Sequence, residues 1–305
     1  MNTVFLHIGY GKCGSTAIQQ FAYRHFKKNA EIYLPETGWW QEREGHHHLT
    51  NNLDYAADKA ALYHQWTLVA EELAASNAKH GFLTSEQFCF MRPEQIEVAH
   101  RALRQQDWQI KIIFFVRSQL ELALSAYLEK LKHTPYQELG DFGHFISLHK
   151  QAFNFQLRIT TWEELFGTAN LIVRLYDRRL YPDVVAELCR ILDLNLEITD
   201  DQSAANTQIN QSMLPEFIPL IKIMDEQMTS QAVTRAHYIA EITKLSSQFK
   251  TCSSGLGLFA QEMDQMIEYY QAANDIFAEK FLTPVERQTL KRAFDLPPEA
   301  RTSKR

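Results

Sequence analysis

Residues 110–116 read IKIIFFV, a run in which only Lys111 is polar. A strand that is apolar on both faces needs cover on both, the situation of a central strand in a parallel sheet flanked by helices. The sequence on either side supplies the remaining parts. Short apolar stretches at 4–8, 32–34, 81–84 and 171–176 alternate with helical patterns at 15–28, 56–76, after Pro93, at 120–131 and at 182–192. In the first of those helices Ile18, Phe21, Ala22, His25 and Phe26 recur at three- and four-residue steps and share one face. Such alternation predicts an α/β fold, a three-layer doubly wound parallel sheet. Strand signals stop after residue 195. The stretch 261–281 is helical by pattern, and Thr283-Pro284-Val285-Glu286 reads as a capping box with proline at the first helical position. The expected organisation is an α/β core over 1–199, a helical C-terminal part over 200–298 packed on it, and a polar tail at 299–305.

Composition narrows the possible functions. At 305 residues the chain is long enough for one large α/β domain with additions. Its formal net charge of −6 argues against a general nucleic-acid binder but leaves room for a local basic pocket. No segment approaches the ~18 apolar residues of a membrane span. The N-terminus has neither the basic region nor the apolar core of a signal peptide. A cytoplasmic location is the expectation. Cys13, Cys89, Cys189 and Cys252 lie far apart and form no CxxC pair, so no disulfide framework and no cysteine zinc site is expected.

The chemistry-bearing stretch is VFLHIGYGKCGST, residues 4–16. An apolar strand that breaks into a glycine-containing turn and then a helix start aims backbone N–H groups at an anion. Gly9, Gly11 and Gly14 allow close approach, Lys12 adds a point charge, and Ser15 and Thr16 offer hydroxyls while capping the helix. A nucleoside-triphosphatase loop places its lysine directly before the Ser/Thr, where this chain has Gly14. A Mg²⁺ and γ-phosphate arrangement is therefore not expected.

A second constellation follows the central strand, in IIFFVRSQLELALSAYLEKLK over 112–132. Arg117 stands at the strand's end, where open α/β sheets bind ligands, and Ser125 comes eight residues later, about two turns into the next helix. An arginine fork with a serine hydroxyl suits a phosphate.

Together the two stretches resemble a known family. HIGYGKCGSTAIQ is similar to the 5′-phosphosulfate-binding loop of sulfotransferases, and VRSQLELALSAY to their 3′-phosphate-binding motif. The resemblance is to enzymes using 3′-phosphoadenosine 5′-phosphosulfate (PAPS), particularly bacterial carbohydrate-type sulfotransferases, and covers roughly residues 3–195. Looser likenesses continue in WEELFGTANLIVRLYD, in ANDIFAEKFL at 273–282, and in NTQINQSM at 206–213. Gly11 and Cys13 stand where the family commonly has proline and threonine. The resemblance implies a P-loop-like fold and metal-free transfer of a sulfuryl group to a hydroxyl, on a carbohydrate or glycolipid, leaving 3′-phosphoadenosine 5′-phosphate (PAP). By the same resemblance Gly11, Lys12, Cys13, Gly14, Ser15 and Thr16 hold the phosphosulfate, Lys12 stabilises the departing phosphate, and Arg117 and Ser125 read the 3′-phosphate.

The acceptor needs a base, and two sources are open. Glu86 ends the strand GFLTSE at its ligand-facing end; His46, His47 and His48 offer imidazoles on a loop otherwise read as polar and solvated. Trp39 and Trp40 on that loop suit a sugar platform or a core position equally. Two rival functions remain. One is a degenerate nucleotide kinase or hydrolase with Asp177 on Mg²⁺, and the other an inactive nucleotide-binding interaction protein.

Overall fold

The computed structural model of the chain describes residues 2–27, 29–51, 59–194, 213–227, 234–249 and 256–294. Five strands, β1 (Thr3–His7), β2 (Ile32–Tyr33), β3 (His80–Thr84), β4 (Gln109–Val116) and β5 (Leu171–Leu175), form one parallel sheet in the order β2-β3-β1-β4-β5. All five coincide with the apolar stretches of the sequence to within a few residues. The chain leaves β1 toward β2 on one side and leaves β4 toward β5 on the other. The carboxyl ends of β1 and β4, which pair directly, therefore flank the topological switch point.

Both sheet faces are covered, which is why β4 tolerates five consecutive buried apolar residues from Ile112 to Val116. Adjacent residues of β3 show the two layers. A side chain on Gly81 would run into Leu73 of the helix Lys59–Ala75, whereas Phe82 meets Phe26 of the helix α1 (Ser15–Phe26) edge-on at 5.2 Å. Since neighbours on a strand point to opposite faces, those two helices lie on opposite sides.

Two compact units divide the chain. The first comprises residues 1–116, 155–197 and 277–286, and holds the whole sheet. Its last piece is tied in by the expected capping box: the Glu286 carboxylate accepts from the Thr283 N–H (3.0 Å) and hydroxyl (2.7 Å). The same carboxylate also accepts from the Leu175 N–H (2.9 Å) at the end of β5 and from the Tyr181 hydroxyl (3.1 Å). One buried glutamate thus caps a helix start and fixes it to the sheet.

The second unit comprises 117–154, 198–276 and 287–305, and its described part is helical. The helix Gln119–His133 is the sequence's expected 120–131 helix, lengthened by a few residues. Its open carbonyls at Leu131, Lys132 and Thr134 are taken by the Arg235 guanidinium at 2.6–3.0 Å, which Asp225 holds in turn. A reciprocal amide pair, Gln119 with Asn274, lies in its interior. Short helices at Tyr136–Leu139 and Phe142–His149 had no counterpart in the sequence reading. Apart from Met213, the segment 206–213 lies outside the described residues.

Candidate functional site

In the first unit, the chain leaves β1 and turns through residues 11–14 into α1. Two residues of that turn are left-handed, Lys12 at φ 66° and Gly14 at φ 81°. Gly14, not Ser15, is the N-cap, and no side chain caps the helix. Ser15 and Thr16 therefore do not have the capping role expected of them: they occupy the first helical turn, whose N–H groups have no intrahelical partner. Gly14 also has no room for a side chain, because a Cβ would come 2.9 Å from Val184 Cγ1 and 3.0 Å from Tyr176 Cε2. Gly14→Ala combines left-handed strain with overpacking and is expected to cost about 2–4 kcal/mol of stability. Urea denaturation checks this; a loss within 0.5 kcal/mol, in order of magnitude, would contradict the packing described.

The tripeptide at the end of β3, Thr84-Ser85-Glu86, is held residue by residue. The Thr84 hydroxyl meets His7 Nδ1 at 2.8 Å, and the Thr84 N–H donates to His46 Nδ1 at 3.1 Å. The Ser85 hydroxyl meets His47 Nδ1 at 2.8 Å. Glu86 Oε2 accepts from the Gln19 amide of α1 at 2.5 Å, with His47 Nε2 at 4.0 Å. Among the described residues Oε1 accepts no hydrogen bond, and the side chain is 31% exposed. The loop and the carboxylate are neighbours: a Cβ on Gly11 would stand 3.8 Å from Glu86 Cγ.

The histidine loop is not the solvated segment expected from its composition. His46 and His47 are buried, and only His48 is partly open, stacked on Trp40 at 4.7 Å. His46 accepts from Thr84 through Nδ1, so its Nε2 carries the proton and donates to the Pro35 carbonyl at 3.0 Å. Burial pushes its pKa down to about 4 and that of His7 to about 3. His47 Nε2 faces two acceptors, the Arg43 carbonyl at 3.3 Å and Glu86, so it carries the proton while Nδ1 accepts from Ser85. The tryptophan rings are engaged as well: Trp39 stacks on Tyr23 and meets His46 edge-on, and the Arg43 guanidinium lies over Trp40.

Two of the buried imidazoles, His7 and His46, give the fold an acid limit. Their folded pKa values lie below the unfolded value of about 6.5, so the unfolded chain binds more protons between those limits. Stability contributed by neutral His7 and His46 is present above pH ~6.5 and falls as pH drops toward 4 and then 3. The slope approaches 1.4 kcal/mol per pH unit for each imidazole, in order of magnitude. Urea midpoints at pH 7 and pH 5 should differ accordingly, and His46→Gln should flatten that difference. An unchanged slope in the variant would show that His46 titrates normally.

Arg117 and Ser125 belong to the second unit. Arg117 follows Val116 directly at the end of β4, and its Nε donates to Glu121 at 2.8 Å, one turn before Ser125. Ser118 between strand and helix is buried, and its hydroxyl has no partner among the described residues. Asp177, the Mg²⁺ ligand of the rival reading, is forked by the Arg179 guanidinium. Gln19 was missed in the sequence. Its signal was a polar residue on the apolar face of α1, beside Ile18 and Ala22.

No family model and no curated protein matches the chain. Among solved structures, the fold is similar to a sulfotransferase from Alicyclobacillus acidocaldarius: 16% identity, TM-score 0.41, covering 67% of this chain and 89% of that one. It is also similar to mouse sulfotransferase SULT7A1 complexed with PAP: 17% identity, TM-score 0.44, covering 95% and 88%. These likenesses are too distant to assign a function, which rests on the chain's own residues. Among the described residues no helix is long and apolar enough to cross a membrane.

Proposed function

We propose that the protein is a sulfotransferase that moves the sulfuryl group of PAPS onto a hydroxyl of a carbohydrate or glycolipid. The observation that carries this reading is the meeting, within one unit, of an uncapped helix start beside Lys12 and a carboxylate with one oxygen held and one open. The acceptor oxygen attacks sulfur and gives its proton to Glu86 Oε1. The bond from sulfur to the bridging oxygen breaks, and charge grows on the departing 5′-phosphate. Lys12 and the N–H groups of the first turn of α1 meet that charge. Gly11, Cys13, Gly14, Ser15 and Thr16 cradle the phosphosulfate. His47, buried beneath Glu86, supports the carboxylate, while the more exposed Glu86 is the group an acceptor reaches.

Calorimetry with PAP, ATP and AMP side by side tests the donor class, and transfer from PAPS to sugar and glycolipid hydroxyls tests the reaction. A marked preference for PAP is expected; ATP binding as tightly, with Mg²⁺ dependence, would favour phosphoryl transfer instead. PAP binding without transfer to any acceptor would favour an inactive binding protein. Arg117 and Ser125 supply the recognition of the 3′-phosphate in this reading. Arg117→Ala is expected to weaken PAP by about 1.5–3 kcal/mol, the worth of a charge-assisted contact. AMP binding should hardly change. Equal weakening of both ligands would mean that Arg117 faces something other than the 3′-phosphate.

A further inference from the structure

We infer that Gln19 is a positioning residue for Glu86, tying the base to the same helix whose N-terminus holds the donor. The inference rests on the reading of Glu86 as the base. Gln19 lies one turn after Ser15 on α1, buried, with its amide N–H on Glu86 Oε2 at 2.5 Å. That bond splits the carboxylate's two oxygens into different jobs: Oε2 is anchored, and Oε1 is left to accept the acceptor's proton. A carboxylate on a two-carbon stem has several rotamers, and fixing one oxygen confines the other to a narrow arc.

The packing on the far side of the amide is shaped to the same end. Gly45 has no side chain where one would come 2.6 Å from His47 Nε2 and 3.2 Å from Gln19 Nε2. The histidine loop thus closes over both polar groups that face Oε2. The titratable group that faces the carboxylate from that loop is His47. Cys89 is the second near this residue; its thiol donates to the Glu86 carbonyl at 3.2 Å and is kept protonated by burial. Neither takes the place of Gln19 on Oε2, since His47 stands 4.0 Å away and already faces the Arg43 carbonyl, and the thiol is bound to the main chain. Without the amide, Oε2 loses its anchor and the carboxylate gains freedom to turn.

The test is the steady-state kinetics of Gln19→Leu with PAPS and an accepted hydroxyl substrate. At neutral pH kcat should fall on the order of tenfold while KM for the acceptor stays within about twofold, since the base is misplaced and the acceptor still binds. PAP affinity should stay within about twofold, because α1's N-terminus is untouched. Gln19→Glu sets a second carboxylate against Oε2, replacing the anchoring bond with repulsion, and should lower kcat at least as far. Gln19→Met, which keeps the length and helix propensity of glutamine, replaces the leucine variant if that one does not fold. A lowered melting temperature with kcat within twofold would make Gln19 merely structural and overturn the inference. Its failure is distinguishable from that of the base assignment: there, Glu86→Gln itself would retain turnover.

Discussion

Glu86→Gln is expected to lower turnover by roughly 10²–10⁴-fold while leaving PAP binding close to wild type, as the removal of a general base from an intact site should. The substitution keeps the size and planarity of the side chain. An amide in that place can still hold Gln19 by turning its oxygen toward the Gln19 N–H, so the fold has no reason to respond. What is lost is a proton acceptor at the open end. The three histidines are expected to matter less, each for its own reason. His46 has both ring nitrogens engaged, and burial holds it neutral far below physiological pH. His48 is stacked on Trp40. His47 is buried, with Nδ1 on Ser85, so His47→Ala should loosen Ser85 and Glu86 and reduce turnover modestly. Near-normal turnover in Glu86→Gln, with collapse in His47→Ala, would pass the role to His47.

The parts of this arrangement that could be read from sequence are those encoded locally. IKIIFFV announced a doubly covered strand, and the apolar runs at the four other strands announced their place in a parallel sheet. The glycine turn marked the start of α1, and Thr283 with Glu286 marked that of a later helix. The parts that could not be read are contacts across sequence distance. Gln19 meets Glu86 across 67 positions and His47 meets Ser85 across 38. In a one-dimensional pattern the three histidines therefore looked like a solvated loop, although two are core residues satisfied by the residues flanking the end of β3. The helices between 134 and 154 were lost for another reason. Tyr136–Leu139 and Phe142–His149 are too short to show more than one or two turns of periodicity. The cap of α1 was misread by one residue because serine is the commoner cap, whereas the backbone here is left-handed at Gly14 and needs glycine.

Lys12→Gly is expected to reduce turnover on the order of 10²–10³-fold, with a much smaller loss in PAP affinity. Charge on the leaving phosphate is greater in the transition state than in the bound donor, so a cation aimed at it lowers the barrier more than it tightens binding. Glycine separates that electrostatic role from a structural one. Lys12 sits at φ 66°, where any residue with a Cβ carries strain of roughly 1–2 kcal/mol. Glycine removes the strain and adds conformational entropy to the unfolded chain by a comparable ~0.5–1 kcal/mol, so stability should change little. Lys12→Met keeps both the strain and the length of the side chain and removes only the charge; it should be as inactive as the glycine variant. If Lys12 served merely to hold the loop, the methionine variant would keep its turnover. The metal requirement gives an independent reading, because Mg²⁺ or EDTA should alter the wild-type rate little when the lysine and the helix start supply the positive field. Activity that needed Mg²⁺ with ATP as donor would instead assign this loop to phosphoryl transfer, with Lys12 offset from the position such chemistry uses.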